Sequence, residues 1–325
     1  MKKFHLRSFA LAGLLLMGTA CESETSGEQS DDQEAQGSSE EASADEGEGS
    51  AEQDDWPDPL VYGILPSEDE QELSDEYEPL AGYLSDELGV DVEFHVGTDY
   101  NAMIEAMAND HIHVAHYGPF SYVLANERSG GEAFAMGIET EGEETYQSNI
   151  VTLEDSDIES VEDLEGSDIA FVDPASTSGH LFPMAHLVNT LDSSMEEVES
   201  MFENVTFAGG HDTAMLALLN GDVDAAGVGD FIVDDVEHEN IDRVQIVDET
   251  DEIPHGPETV QSDLPESLKE AVAEAFLTMD EDPEVEDFLE DRDNQAGFIE
   301  VEDSTYDIIR ETSDALEMSP EELME

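Results

Sequence analysis

The amino-acid sequence predicts an α/β protein of two lobes, each a mostly parallel sheet with flanking helices, facing one cleft. Three observations predict it. Beyond residue 59, short apolar runs alternate with segments of helical periodicity, the pattern of strands joined by crossover helices. About 265 residues follow this pattern, which is room for two such units. With one cysteine in 325 residues, packing and not disulfides must hold the fold.

Residues 60–66 (LVYGILP) predict the first strand, and residues 72–88 a helix stopped at Gly89. Residues 90–97 predict a second strand and 100–107 a short helix. The run HIHVAHYG (111–118) predicts a third strand; Pro119 then opens a helix through residue 125, since proline suits a first turn. Strands follow at AFAMGIE and SNIVTLE. The rhythm then repeats: a helix near 161–164, strand DIAFV, a helix over 179–191, strand NVTFAG, a helix over 211–219, and strands DAAGVG and VQIVD. Helices over 265–279 and 304–317 finish the chain, and Val272, Phe276 and Met279 sit at helical spacing as core. Ligands in such sheets bind beyond the carboxyl ends of the strands.

Residues 1–20 carry Lys2, Lys3 and Arg7 ahead of a short apolar run, then Gly18, Thr19 and Ala20 before Cys21. That order reads as a bacterial lipoprotein signal, with Cys21 the lipidated first residue of the mature chain. Residues 21–57 are almost all small, polar or acidic, a composition that cannot offset the entropy of ordering, so an unstructured tether is expected. The expected location is the outer side of a cell membrane, held by lipid only.

Asp and Glu number 86 against 8 Lys and Arg, a formal net charge of −78. Nucleic acid is excluded as a partner, because phosphate backbones demand Lys and Arg. A surface this acidic repels itself unless salt screens it; at molar salt the Debye length is about 3 Å. The charge therefore predicts a halophilic bacterium and carries no ligand signal.

The sharpest local signal is FVDPASTSGHLFP, residues 171–183. A buried-type strand runs into Asp173-Pro174 and then Ser176, Thr177, Ser178 and Gly179 at the start of a helix. Hydroxyls and free backbone N–H groups there can hold a tetrahedral oxyanion without any cation; an ordinary N-cap and turn is the plainer reading of the same residues. Together with GTDYNAMIEAM, HVAHYGPFSYVLA and FAGGHDTAMLAL, this block resembles the PhnD family, substrate-binding proteins of phosphonate, phosphite and phosphate ABC importers. The resemblance covers roughly residues 60–265. It implies a type II periplasmic-binding-protein fold closing on ligand by hinge motion, with residues 58–147 and 252–325 forming lobe one and 148–251 lobe two. It implies ABC permease and ATPase partners, a monomer and no cofactor.

The resemblance also implies a site. Ser176, Thr177 and Ser178 would hold the phosphoryl oxygens, Tyr117 would donate its phenol from the opposite lobe, and Tyr100 and His211 would line the cleft. Gly179 and Asp230 are secondary candidates. Two departures bear on the ligand. The turn IPHGPET has His255 and Gly256 where relatives that hold an aminoalkyl group would carry an Asp, and Asp230 is one residue from the other expected carboxylate. A phosphate, phosphite or small alkylphosphonate is favoured over 2-aminoethylphosphonate. His180 stands where an aromatic is commoner and reads as a packing or rim residue.

Other function classes fit less well. Ser176 or Ser178 with His211 and Asp212 would make a triad on paper, but adjacent His and Asp cannot orient one another and no G-x-S-x-G elbow is present. His111, His113 and His116 cannot all face one ion from a strand. A tethered sensor presenting its ligand to a membrane receptor would have the same binding lobe.

Overall fold

The computed structural model describes residues 55–140, 142–234, 240–285, 288–289 and 295–318. The signal, Cys21 and the tether up to residue 54 lie outside the described residues. Near the start of the described residues, the Trp56 indole N–H donates to Ser267 Oγ at 3.1 Å.

In chain order the first elements are β1 (Leu60–Ile64), α1 (Glu70–Leu88), β2 (Val92–Val96), α2 (Tyr100–Ala108), β3 (Val114–His116), α3 (Pro119–Ser129) and β4 (Glu132–Glu139). Next come β5 (Thr145–Tyr146), β6 (Ser148–Leu153), β7 (Asp168–Phe171), α4 (Phe182–Thr190), α5 (Met195–Met201), β8 (Asn204–Phe207), α6 (His211–Asn220), β9 (Ala225–Gly229), α7 (Asp230–Asp234) and β10 (Val244–Glu249). The chain returns through β11 (Ile253–Pro254), β12 (Pro257–Val260), α8 (Glu266–Leu277), β13 (Gln295–Glu300) and α9 (Asp307–Ala315).

Two main sheets result, ordered β13-β4-β12-β3-β1-β2 and β10-β6-β9-β7-β8. The parallel core that strand–helix alternation predicts is β2-β1-β3 in one and β8-β7-β9 in the other. Antiparallel strands complete both: β12, β4 and β13 in the first, β6 and β10 in the second. β4, β6, β10 and β12 flank the two crossings between sheets, β13 joins the first sheet after α8, and β5 pairs antiparallel with β11 at the crossing.

Local chemistry explains the main boundaries. Gly89, at φ +68°, ends α1 as a left-handed cap. Pro119 opens α3. The short α5, which hydrophobic periodicity did not reveal, is set by a reciprocal capping box between Ser194 and Glu197. The segment expected as a helix over 179–191 begins instead as one turn of π-helix, Thr177–Leu181, before α4. Residues 161–164 form a 3-10 turn.

One core lies between the first sheet and α1 and α8. There Tyr62, Tyr77, Phe276 and Phe288 are at most 2% exposed, each contributing about 1.5–3 kcal/mol of burial. Val272, Phe276 and Met279 all belong to it. The second core runs from α2 and α3 to the second sheet, through Tyr117, Phe120, Phe171, Met184 and Val228. Glu258, buried in β12, accepts from Tyr62 Oη at 2.5 Å and lies 3.0 Å from His116 Nδ1, so neither oxygen is left dry. No described helix is long and apolar enough to cross a membrane.

Candidate functional site

The cleft is built on helix beginnings. Ser176 is the N-cap of the π-turn, and its Oγ accepts from Gly179 N at 3.0 Å. The first helical bond runs from Leu181 N to Ser176 O at 3.0 Å. The wide turn therefore sets the N–H groups of Thr177, Ser178 and His180 ahead of any intrahelical partner. Gly179 fits because its α-carbon faces Val172: a Cβ there would lie 2.3 Å from that side chain. Its N–H already serves Ser176, so its part is close packing.

The opposite lobe meets this turn directly. Phe120 N, in the first turn of α3, donates to Thr177 Oγ1 at 2.8 Å, and Ser121 Oγ donates to Ala175 O at 3.2 Å. At the other end of the cleft His211 N, the first residue of α6, donates to Ser67 O at 2.7 Å. Tyr100, the first residue of α2, brings its hydroxyl within hydrogen-bonding reach of Ser176, and burial pushes its phenol well above the ordinary value. Ser176, Thr177, Ser178, His211 and Tyr100 are all 3% exposed or less. This is a closed cleft.

His211 has a defined protonation state. Gly229 N–H donates to its Nδ1 at 3.1 Å, so the ring proton sits on Nε2. Burial lowers its pKa to about 3, so the ring is neutral at physiological pH. Phe231 packs edge-on against it at 4.9 Å. The imidazole thus offers the cleft a neutral donor. His180 is the packing residue expected: its Nδ1 lies 3.1 Å from Pro174 O and its ring lies between Phe171 and Phe207, with a pKa lowered to about 4 by burial.

Two expected site residues do something else. Tyr117 is fully buried and its hydroxyl donates to Met103 O at 2.9 Å, so its hydrogen is directed at α2 and not at the cleft. A buried phenol takes the nearest acceptor, and the strand face it occupies points at that carbonyl. Asp230 binds backbone with both oxygens: Oδ2 accepts from Gln147 N at 2.7 Å and Oδ1 from Phe231 N at 3.0 Å. It ties α7 to the crossing segment.

Tyr146 was not singled out from the sequence. From the two-residue β5, its hydroxyl donates to Ser178 Oγ at 3.3 Å, while its ring stacks on His255, the residue after β11, at 5.5 Å and 13°. A strand of two residues has no periodicity to read. Asp173 lies just ahead of the same turn. Its carboxylate accepts from Ala175 N at 2.8 Å, and burial raises its pKa.

Gly256 shows why its own position in the IPHGPET turn carries no carboxylate. A Cβ at that position would lie 2.1 Å from Tyr117 O and 3.3 Å from Gly118 Cα. The backbone passes so close to the start of α3 that no side chain fits.

No Lys or Arg is assigned to the cleft among the described residues. Arg128 pairs with Glu105, Lys269 with Glu132 and Glu266, and Arg310 with Asp303 and Asp307, while Arg243 donates to Leu219 O. The site's electrostatics come from converging helix N-termini, each roughly half a positive charge, and from neutral hydroxyls. The three strand-end histidines do not gather: His113 Nδ1 accepts from Val61 N at 2.9 Å, and His116 faces Glu258. Among the described residues no group of three or more His, Cys, Asp or Glu could hold a metal ion.

This geometry has relatives. The phosphate-import protein PhnD of Mycolicibacterium smegmatis is 35% identical over 185 residues, covering 55% of this chain and 57% of that one. A binding-protein component of an ABC phosphonate transporter from Pseudomonas aeruginosa shares the fold with a TM-score of 0.74 at 24% identity, over 79% of this chain and 86% of that one. PhnD1 of Prochlorococcus marinus, solved with methylphosphonate, has a TM-score of 0.71 at 20% identity, over 80% and 98%. The fold is that of two-lobed type II periplasmic binding proteins. The family model for the periplasmic substrate-binding protein of phosphonate ABC transporters matches residues 62–306, and the chain belongs to that family.

Proposed function

We propose that the protein captures a small phosphorus oxyanion (phosphate, phosphite or methylphosphonate) between its lobes and delivers it to the permease and ATPase of an ABC importer. One observation carries this reading: three neutral hydroxyls and helix-start N–H groups are sealed by the opposite lobe, with no Lys or Arg assigned to the cleft among the described residues. Ser176, Thr177 and Ser178 bind the oxygens, His211 Nε2–H donates from α6, and Tyr100 and Tyr146 close over the rest. Closure excludes water, and in that drier site the same donors hold an anion more strongly.

The mycobacterial relative's name and the methylphosphonate in the Prochlorococcus structure support this choice of ligand. The exclusion at Gly256 and the backbone hydrogen bonds that fix Asp230 depart from the pair of carboxylates an ammonium group would need, so 2-aminoethylphosphonate is disfavoured. In this reading Cys21 anchors the mature chain by lipid on the outer side of the membrane, and the charge suits a halophilic bacterium.

The test is a thermal-shift panel in molar NaCl with phosphate, phosphite, methylphosphonate, 2-aminoethylphosphonate and a sulfate control. Ligand at a thousandfold over its Kd adds about 4 kcal/mol, on the order of 8–16 °C in Tm. One of the first three should give that shift. No shift with any phosphorus ligand in a folded sample defeats the proposal.

A further inference from the structure

Three helices that begin at the cleft have first-turn N–H groups satisfied from across it. α3 and α6 start at glycine N-caps, Gly118 and Gly210, with no side-chain cap of their own. Their partners come from the other sheet's side: Thr177 Oγ1 accepts from Phe120 N at 2.8 Å, and Ser67 O accepts from His211 N at 2.7 Å. α2 repeats the arrangement with a charged group. Its own N-cap, Asp99, accepts from Ala102 N at 2.7 Å. Tyr100 N lies within hydrogen-bonding reach of the Asp173 carboxylate, which belongs to the turn after β7 and also accepts from Ala175 N at 2.8 Å. A carboxylate suits a helix N-terminus. It is kept at this one although burial and the nearby Asp99 charge push its pKa up.

Sheet order sets this contact away from the crossing. In the first sheet β2, which leads into α2, is separated from β12 by β3 and β1; in the second, β7 is separated from β6 by β9. A hinge displaces groups in proportion to their distance from it, so cleft opening parts Asp173 from Tyr100 more than it parts Tyr146 from Ser178. The Tyr100 hydroxyl meanwhile reaches Ser176 in the ligand turn. We propose that Asp173 is a positioning residue that latches the closed cleft: it caps α2 from across the cleft, holds Tyr100 over the ligand turn and slows ligand release. Both of its partners are backbone N–H groups, so it acts through Tyr100 and the turn. The inference rests on the capture-by-closure reading above. A contact made only in the closed state favours that state, and its loss speeds release while leaving encounter with the open cleft as it was.

The experiment compares the full-length wild type with Asp173→Ala in molar NaCl, loaded with methylphosphonate. Loss of a cap of this kind should speed release about tenfold in a stopped-flow chase, with association within about twofold of the wild type. Amide hydrogen exchange should rise about tenfold at Tyr100 and stay unchanged at Met107 in the same helix. Asp173→Asn, which keeps one acceptor oxygen for Ala175 N, is the second variant should the first fail to fold, and should show the same changes to a smaller extent. The proposal is overturned if release is unchanged, if affinity falls through slower association, if Tyr100 exchange is unchanged, or if Met107 accelerates equally, which marks a general loss of stability. Failure of methylphosphonate to bind the wild type would sink the ligand assignment instead. Exchange in the unliganded proteins then decides the inference: faster exchange at Tyr100 alone supports the latch, and any other pattern overturns it.

Discussion

The outer surface and the cleft treat charge in opposite ways. The surface gathers carboxylates, and every described cation outside the cleft is engaged with a surface carboxylate or a backbone carbonyl. The cleft holds hydroxyls, a neutral imidazole and helix beginnings. Anion recognition here is therefore separable from net charge: it depends on fixed local dipoles, while the surface answers to salt.

The sharpest way to break that comparison is to remove the salt. In dilute buffer the acidic surface should drive unfolding, seen as loss of the cooperative thermal transition, and molar NaCl should restore it. Full stability without salt would mean that the acidity has some other cause. Next in size is Ser176→Ala with Thr177→Val, which removes two hydrogen bonds to a charged ligand, each worth about 1.5–3 kcal/mol. Calorimetric titration should show at least a hundredfold loss of affinity, and Tm should fall as well, because Gly179 N and Phe120 N lose their acceptors; unchanged affinity in the folded variant would put the site elsewhere.

A smaller effect follows from the two buried histidines. Folded His211 and His180 have pKa values depressed to about 3 and 4 by burial, against about 6.5 unfolded. Below about pH 6.5 the unfolded chain takes up protons that the native state refuses. Each histidine then removes up to about 1.4 kcal/mol per pH unit as acid is added, with no such loss above pH 6.5. His180→Phe keeps the packing between Phe171 and Phe207 and removes one of the two. Its Tm should fall less steeply than the wild type's between pH 6.5 and 4; parallel slopes would contradict the buried neutral state. The smallest expected effect is Tyr146→Phe, which deletes a single hydroxyl contact to Ser178 and should weaken ligand binding about tenfold or less by titration. Affinity should also rise with salt and then level off, the reverse of a cation-based site.

Much of the fold was legible because strands and helices alternate and because glycines and prolines mark their ends, as at Gly89 and Pro119. The candidate ligand turn stood out only in the company of three other blocks that resemble the family, because hydroxyls after a strand and before a helix read by themselves as an N-cap and turn. What could not be read depends on contacts between distant segments. The direction of the Tyr117 phenol is decided by Met103 O in another element, and the commitment of Asp230 by Gln147 N. Tyr146 acquires its place only because β5 finds β11. The π-turn at Thr177–Leu181 has no periodicity of its own, and α5 was hidden in an acidic run whose capping box, Ser194 and Glu197, was there to be found.

Gly256 bears on how this lineage can change. Because its α-carbon rests against the carbonyl of Tyr117, no single codon change can install a carboxylate there while the first turn of α3 stays in place. A carboxylate gained beside the cleft in this turn would therefore have to enter at the neighbouring His255, where it would replace the ring stacked on Tyr146.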